Sequence, residues 1–251
     1  MPGVSGGTMA MILGIYDNLI SSVSSFMKNK TENFRFLLLF AAGGILGMFL
    51  FSRPILYLIE NFTMPTLFFF MGAVIGGVPF IFRKSQLKKA SWKGLIYIAA
   101  GIIIVLGISF IPAGGHHTDI SAGVGIIYLV FAGFIAAVAL ILPGISVSYM
   151  LLIMGLYDRT MMAISQAQIP FLIPLAAGLI LGIILTARVL ENAMNRFPQP
   201  TYLIILGFVL GSLAEVFPGI PSGIDIAVCA ITFAAGAAAI LILSKVENDQ
   251  G

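Results

Sequence analysis

Hydroxyl side chains gather at two places where an apolar stretch is interrupted by Pro-Gly, once at Pro2 and again at Pro143. A helix that restarts after such a break points free backbone N–H groups, and the positive end of its dipole, toward the break. Two such helix ends with hydroxyls beside them are typical of an anion site, and phosphate is a common occupant. The candidate binding residues of the two motifs are Gly3, Ser5, Gly6, Gly7, Thr8, Gly144, Ser146 and Ser148.

The two interruptions belong to one repeated motif. Residues 2–17 align without a gap on residues 143–158, with 8 of 16 positions identical. A second stretch, 36–82, aligns on 171–217 with 17 of 47 positions identical. A repeated broken helix in an apolar chain indicates the substrate site of a transporter. The alternative is a pair of helix kinks that only allow close packing, a role that Gly and Ser often have in membranes; we give the spacing Gly43-xxx-Gly47 and Gly178-xxx-Gly182 that packing role.

Composition identifies an integral membrane protein. Of 251 residues, 59% are hydrophobic and 9% are charged, against about 25% charged in soluble domains. Residues 94–157 contain one charged side chain, Asp119. The single cysteine excludes an internal disulfide, and we expect no metal and no cofactor because no Cys or His cluster is present. The net charge of +3 lies in loops, so it predicts membrane orientation rather than nucleic-acid binding.

The apolar segments predict an all-α polytopic membrane protein. A spanning helix needs about 20 apolar residues. Six segments satisfy this length, two of them near its lower limit: 36–59, 66–82, 94–111, 169–190, 201–217 and 224–243. Each motif region is predicted to be a re-entrant hairpin, formed in the second copy by 123–142 and a half-helix over 146–165. Only Met1 precedes the first motif, so either the sequence starts late or this copy lacks its leading half-helix; of the two, we expect a truncated or misassigned start.

Loop charges predict that the two halves are inverted. The loop at 83–93 holds five basic residues and is expected in the cytoplasm. Each half contains three spans, an odd number, so the second half lies upside down relative to the first. We therefore predict one integral membrane domain, 1–251, built of an inverted-topology repeat, with repeat one at 1–112 and repeat two at 123–244. Each repeat is a broken hairpin plus three transmembrane helices.

Three charged residues within the spans are further candidates. Arg53 and Arg188 occupy equivalent positions of the repeat and could hold a phosphate in a bidentate manner. The alternative is that both arginines extend to the membrane interface, as long basic side chains near helix ends do. Glu215 lies in an apolar sequence, and an intramembrane carboxylate is a functional candidate by default, here for carrying a coupling proton.

The two motifs, each followed by a Met-rich apolar helix that ends in Gly-Ile/Leu-Tyr, resemble a bacterial membrane family described as polyprenyl-phosphate transporters. The resemblance covers essentially the whole chain. It implies a multi-pass protein of the bacterial plasma membrane that translocates undecaprenyl phosphate, the lipid carrier of envelope precursors, by alternating access. The implied partners are this lipid phosphate, membrane lipids and protons or another coupling ion.

Two rival functions remain open at this point. Membrane polyprenyl-diphosphate phosphatases also carry inverted repeats and a Pro-Gly-x-Ser motif, but there an Arg follows the motif Ser, whereas this chain has Gly6 and Val147. Phosphoryl transfer depends on such cationic groups, so we predict a protein that is not an enzyme. The second rival is an ion-coupled transporter of a small soluble anion, which the same site would serve.

Overall fold

The computed structural model describes residues 6–87, 92–112 and 122–248, and the regular structure in these residues is entirely helical. The predicted all-α class is therefore confirmed. Eleven helices lie in the described residues: α1 (Gly6–Ile12), α2 (Tyr16–Ser24), α3 (Lys30–Asn61), α4 (Thr63–Lys84), α5 (Trp92–Ser109), α6 (Ala122–Ile141), α7 (Val147–Ile153), α8 (Tyr157–Ser165), α9 (Ile169–Arg196), α10 (Pro198–Val216) and α11 (Asp225–Asn248).

Six of these helices are long and apolar enough to cross a membrane, namely α3, α4, α5, α9, α10 and α11. They coincide with the six predicted spans, and their ends differ by a few residues because polar residues continue the helices beyond the apolar core. The helix α10, with 19 residues, is the shortest but one. The helix α6, which leads into the second motif, is also apolar along its length.

The segment after each Pro-Gly break is not the single half-helix that we expected over 146–165. It is split into α7 and α8, and the first copy is split in the same way into α1 and α2. Gly14 and Gly155, which are equivalent in the repeat, have φ of 71° and 67°. At the second split the N–H of Leu156 donates to the carbonyl of Leu151 at 2.8 Å, which is the pattern of a glycine-terminated helix. Positive φ at these glycines therefore ends each half-helix after two turns.

The most extensive packing joins helices from opposite ends of the sequence: α4 with α11, α5 with α10, and α6 with α9. Glycines make the first two crossings possible. A Cβ on Gly72 would overlap the carbonyl of Phe233, and one on Gly236 would overlap that of Phe69. In the α5–α10 crossing, Gly207, which is equivalent to Gly72 in the repeat, and Gly101 approach backbone atoms of the opposite helix in the same way. These crossings are close backbone contacts that larger residues would separate.

The helices α3 and α9 are equivalent in the repeat but have different surroundings. On α9, Gly178 and Gly182 lie against the backbone of α6, so the predicted small-residue packing is found there. On α3, a Cβ at Gly43 or Gly47 would have no atom of the described chain within 4 Å. No residue of α3 is buried against the described part of the molecule. The surface that α6 covers on α9 is therefore uncovered on α3.

The largest buried cluster surrounds the first motif. Met11, Ile12, Tyr16 and Ile20 are almost fully buried and pack with apolar residues of α4, α9 and α10. Burial of a large apolar side chain contributes about 1.5–3 kcal/mol in water; inside a membrane protein the same close packing supplies dispersion contacts. The core thus fixes α1 and α2 at the centre of the helices that cross the membrane.

Candidate functional site

The two motifs meet inside the molecule, although 136 positions separate the residues that join them. The backbone N–H of Gly144 donates a hydrogen bond to Thr8 Oγ1 at 3.1 Å, and the Thr8 side chain is 0% exposed. Gly7 lies beside this contact, because a Cβ there would be 3.6 Å from the Cα of Pro143. The two copies of the repeated motif are therefore in direct contact. We call this contact the motif junction.

Local geometry at the second motif follows from its residue types. Gly144 has φ of 82°, and a Cβ on it would overlap the carbonyl of Phe208 on α10, so only glycine fits there. Ser146 is extended and caps α7, with its Oγ accepting the N–H of Tyr149 at 3.3 Å. Ser146 is therefore the N-cap of the helix that follows the Pro-Gly break. Its side chain is half-buried and that of Ser148 is exposed.

A tyrosine fastens the first motif to the end of α6. The hydroxyl of Tyr16 donates to the carbonyl of Ile141 at 2.7 Å, and Tyr16 is buried. Ile141 is the last residue of α6, so this bond satisfies a carbonyl that the Pro-Gly break leaves without a helical partner. The sequence alone did not predict this role for Tyr16. The available signal was its recurrence as Tyr157 in the repeat.

A second tyrosine connects the other motif to a carboxylate. Tyr149 OH lies 2.8 Å from the carbonyl of Ser109 and 3.0 Å from that of Ile111, at the carboxyl end of α5. The Ser109 hydroxyl donates to Glu215, which is half-buried in the last turn of α10. Glu215 therefore lies near a helix end and is joined to α7 through Ser109 and Tyr149. Sequence reasoning identified Glu215 but not its two partners.

Arg188 and Arg53 are both exposed and have different environments. Arg188 Nε donates to the carbonyl of Ser24 at 3.4 Å, at the end of α2. One turn further along α9, Glu191 accepts the hydroxyl of Ser24. Arg53 lies on the uncovered helix α3, and the described residues offer its guanidinium no hydrogen bond. The structure therefore joins Arg188 to the end of α2, whereas Arg53 lies on a helix with no buried residue in the described part of the chain.

The remaining predicted residues are partly described. Gly3 and Ser5 lie outside the described residues, and Gly6 is the exposed first residue of α1. Because α1 and α7 each have seven residues, the N–H groups of their first turns matter more than a long-helix dipole. Within the described ranges, no group of three or more His, Cys, Asp or Glu is arranged to hold a metal. The donors at the motif junction are hydroxyls and backbone N–H groups.

Six apolar spans around two interrupted helices that meet in the core define a polytopic membrane protein of the transporter class. The chain belongs to the undecaprenyl phosphate translocase-like family, whose model matches residues 1–227. This finding confirms the resemblance noted in the sequence. The protein is a multi-pass membrane protein of the bacterial plasma membrane and a transporter rather than an enzyme.

Two curated relatives carry the same name. The chain is 36% identical over 236 residues to a polyprenyl-phosphate transporter of Staphylococcus aureus, covering 89% of this chain and 83% of the relative. It is 29% identical over 233 residues to a polyprenyl-phosphate transporter of Vibrio cholerae, covering 87% and 73% of the two chains. No solved structure matches the chain at a significant level.

Proposed function

We propose that this protein translocates undecaprenyl phosphate across the bacterial plasma membrane and returns the carrier to the inner leaflet. The observation that carries the proposal is the motif junction, where Gly144 and Thr8 from the two copies share a hydrogen bond. Both curated relatives are named as polyprenyl-phosphate transporters, which supports this substrate class. A lipid phosphate needs a polar groove for its head while its chain stays in lipid, and a broken helix at membrane depth lines such a groove.

The two halves, 1–112 and 123–244, act as an inverted repeat. The ends of α9 support this arrangement, because α2 is bonded to its carboxyl-terminal part at Glu191 and α8 packs on its amino-terminal part at Phe171. The helices α2 and α8, which follow the two motifs, therefore contact opposite ends of the spanning helix α9. The α4–α11 and α5–α10 crossings, built on equivalent glycines, add support, since each joins one half to the other. Such a scaffold can open to either side by moving one half against the other.

The phosphate is held between the hydroxyls and N–H groups of the two motifs, from Ser5 and Thr8 on one side and Ser146 and Ser148 on the other. Hydrogen bonds to a charged group contribute about 1.5–3 kcal/mol each, so several of them hold a phosphate without a metal ion. Arg53 and Arg188 attract the phosphate as it approaches the motifs. Alternating access then exposes this site to each leaflet in turn.

Glu215 couples transport to protons in this proposal. Its contact with Ser109, whose carbonyl receives the Tyr149 hydroxyl, links the carboxylate to the second motif. Protonation would weaken the contact and free α7 to move. We expect Glu215→Gln to abolish stimulation by an imposed pH gradient while leaving slow exchange without a gradient. If stimulation by the gradient survives in this variant, Glu215 is not the coupling group.

The test is a flipping assay with purified protein in vesicles. A fluorescent polyprenyl phosphate is loaded into one leaflet, and a membrane-impermeant quencher reports its arrival in the other. We expect the wild type to move the lipid and Ser146→Ala or Ser5→Ala to slow it by roughly ten- to hundredfold, since each loses a hydrogen bond to a charged group. The matched control is Ser165→Ala, because among the described residues the Ser165 hydroxyl bonds only the Met162 carbonyl, at 2.9 Å.

Each rival function has its own outcome in the same vesicles. Uptake of inorganic phosphate without movement of the lipid would establish a transporter of soluble anions. Release of phosphate from a polyprenyl diphosphate would establish the phosphatase. Unchanged flipping in both serine variants would refute the assignment of the site, and a wild type that moves no lipid would refute the proposed function.

A further inference from the structure

The helices α2 and α8 are equivalent in the repeat, but they are buried to different degrees. On α2, Tyr16 and Ile20 are each 1% exposed and belong to the largest buried cluster. On α8, only Thr160 and Ala163 are buried, and the two methionines between them are each 52% exposed. The first copy of the motif therefore continues into a core helix, whereas the second copy continues into a helix near the surface.

Polar contacts fasten α2 to α4, α6 and α9. Asp17 pairs with Lys84 on α4, and Ser24 donates to Glu191 on α9. The hydroxyl of Tyr16 donates to the carbonyl that ends α6. Moving α2 would break all of these contacts and leave charged or hydroxyl groups without partners, so this helix is held in place.

The helix α8 lacks such contacts. Arg159 is exposed and lies over the ring of Phe171 on α9, with 5.6 Å between the guanidinium carbon and the ring centre. The Ser165 hydroxyl bonds the Met162 carbonyl of its own helix. Among the described residues, no side chain of α8 makes a hydrogen bond or an ion pair with another helix. An exposed cation–π contact is weak, so α8 can leave its place at little cost.

Both ends of α8 have left-handed backbone. Gly155, just before it, has φ of 67°, and Ala167, just after it, has φ of 51°. Residues other than glycine seldom adopt a positive φ. In the first copy the residue at the position of Ala167 is Phe26, and its φ is not positive. The second copy therefore has two special backbone positions at the ends of one short helix, where hinged segments turn.

An apolar cleft of about 270 Å³ lies beneath α8, against α6 and α9. Thr160 and Ile164 line it from α8, and it extends to Val147, the residue after the capping serine of the second motif. Protein interiors contain few voids larger than a water molecule. The cleft therefore shows that α8 is not closely packed on its neighbours, and it connects this helix with the second motif.

The Thr160 hydroxyl has no partner in this position of α8. The residue is 6% exposed, and its Oγ1 is buried without a hydrogen bond to any described residue. Buried polar groups of native structures nearly always have a hydrogen-bond partner. An outward movement of α8 would bring this hydroxyl into contact with water, so the hydroxyl favours a second position of the helix.

We propose that α8 is a lid over the outer entrance to the second motif, an inference that rests on the proposed function. The lid turns about Gly155 and Ala167 while α2 stays fixed in the core. Lifting it opens the cleft from the face that the loop charges predict to be outside as far as Val147, beside the proposed phosphate site. The lid is closed in this structure, and the first copy of the motif has no counterpart to it.

The reactivity of single buried cysteines tests the lid without any transport. Thr160→Cys on α8 is compared with Ser22→Cys on α2, each in Cys229→Ser protein, because Thr160 and Ser22 are 6% and 5% exposed. We expect N-ethylmaleimide to modify Thr160→Cys at least about tenfold faster in the purified full chain, since only α8 opens locally. Both rates are measured well below the thermal midpoint, so neither reports global unfolding. Equal rates would overturn the lid.

Reversible crosslinks test whether the movement is needed for transport. Arg159→Cys with Phe171→Cys ties α8 to α9, and Ser24→Cys with Glu191→Cys ties α2 to the same helix. A short methanethiosulfonate crosslinker joins each pair and is removed by reduction, so each protein is its own folding control. We expect the α8 crosslink to slow lipid flipping at least about tenfold and the α2 crosslink to slow it less than about twofold. Unchanged flipping with α8 tied, or equal slowing by both crosslinks, would overturn the proposal.

Removing the unpaired hydroxyl should favour the closed lid. We expect Thr160→Val to raise the thermal midpoint and to slow flipping by about fivefold or more, because the closed position loses a buried polar group without a partner. The matched control is Thr66→Val, whose hydroxyl bonds the Leu58 carbonyl and whose midpoint should fall. A lower midpoint or faster flipping in Thr160→Val would contradict the lid.

The outcomes separate this inference from the proposed function. Equal thiol reactivity at positions 160 and 22 overturns the lid even where vesicles show normal lipid flipping. A wild type that flips no polyprenyl phosphate refutes the proposed function, and the comparison of thiol reactivity then still decides whether α8 opens.

Discussion

Replacing Thr8 by valine tests the motif junction most directly. Valine keeps the shape of the side chain but removes the Oγ1 that accepts the Gly144 N–H at 3.1 Å. Both residues are buried, so the N–H is left without a partner at a cost of about 1–3 kcal/mol. For a chain of this size, each kcal/mol lowers the thermal midpoint by about 2–4 °C. We therefore expect Thr8→Val to unfold about 2–12 °C below the wild type.

The single cysteine provides the assay. Cys229 is 1% exposed on α11, so a dye that fluoresces on reaction with a thiol reports unfolding of the purified protein. Thr66→Val is the matched control, because Thr66 is another buried threonine whose Oγ1 donates to the carbonyl of Leu58 at 3.1 Å. That carbonyl also accepts the N–H of Phe62 and keeps this bond in the variant. Removing the Thr66 hydroxyl should therefore lower the free energy of unfolding by about 1 kcal/mol or less.

The comparison has a clear contrary result. If Thr8→Val unfolds within a degree of the wild type, or no earlier than Thr66→Val, then the hydroxyl does not hold the Gly144 N–H. The convergence of the two motifs would then lack its polar contact. In vesicles, Thr8→Val should also slow lipid flipping more than Thr66→Val, because only Thr8 lies at the proposed phosphate site.

Three further predictions use the same assays. Gly178→Ala should cost about 1–3 kcal/mol by forcing α9 from α6, whereas Gly43→Ala should be neutral or stabilise by up to about 1 kcal/mol; equal effects would contradict the difference in packing. Tyr16→Phe should lower stability by about 1–2 kcal/mol because the carbonyl that ends α6 loses its donor, and an unchanged midpoint would exclude that bond. Tyr149→Phe should speed or slow flipping with little loss of stability, since its two acceptors lie at a helix end; a flipping rate equal to the wild type would exclude a link between Glu215 and the second motif.

The spans and the interruptions were predictable because local composition determines them. A run of about 20 apolar residues must form a helix in a bilayer, where each backbone group needs an internal partner. Pro143 followed by Gly144 removes a donor and permits a positive φ, so a break there follows from the two residue types alone. The identical spacing of glycines in the two halves also predicted close packing, which is found for Gly178 and Gly182 on α9 but not for Gly43 and Gly47 on α3.

The helix ends at Gly14 and Gly155 were not predictable from the sequence. A single glycine inside a helix costs only about 1 kcal/mol relative to alanine, so an apolar run containing one normally continues as a helix. Here each glycine takes a positive φ because the next segment packs elsewhere, with Tyr16 buried in the core in the first copy. Tertiary packing therefore decides where each half-helix ends, and the local sequence does not predict that position.

Hydrogen bonds between residues far apart in the sequence were also not predictable. The bond from Tyr16 to the Ile141 carbonyl spans 125 positions, and its acceptor is a backbone group that every residue possesses. The pairing of Ser109 with Glu215 likewise joins two helix ends that lie 106 positions apart. In a single sequence such pairs leave no spacing to recognise. Repetition marked Tyr16 and membrane depth marked Glu215, and only the fold supplied their partners.

Symmetry in this protein belongs to the backbone and not to its polar side chains. Equivalent glycines bring α4 to α11 and α5 to α10, so the halves share a mechanical frame. Near one end of that frame Ser109 binds Glu215, and near the other Lys84 pairs with Asp17. Two identical halves would make the two openings equal in free energy and equally populated. In the alternating access that we propose, different polar contacts close the two ends, so the two openings differ in free energy.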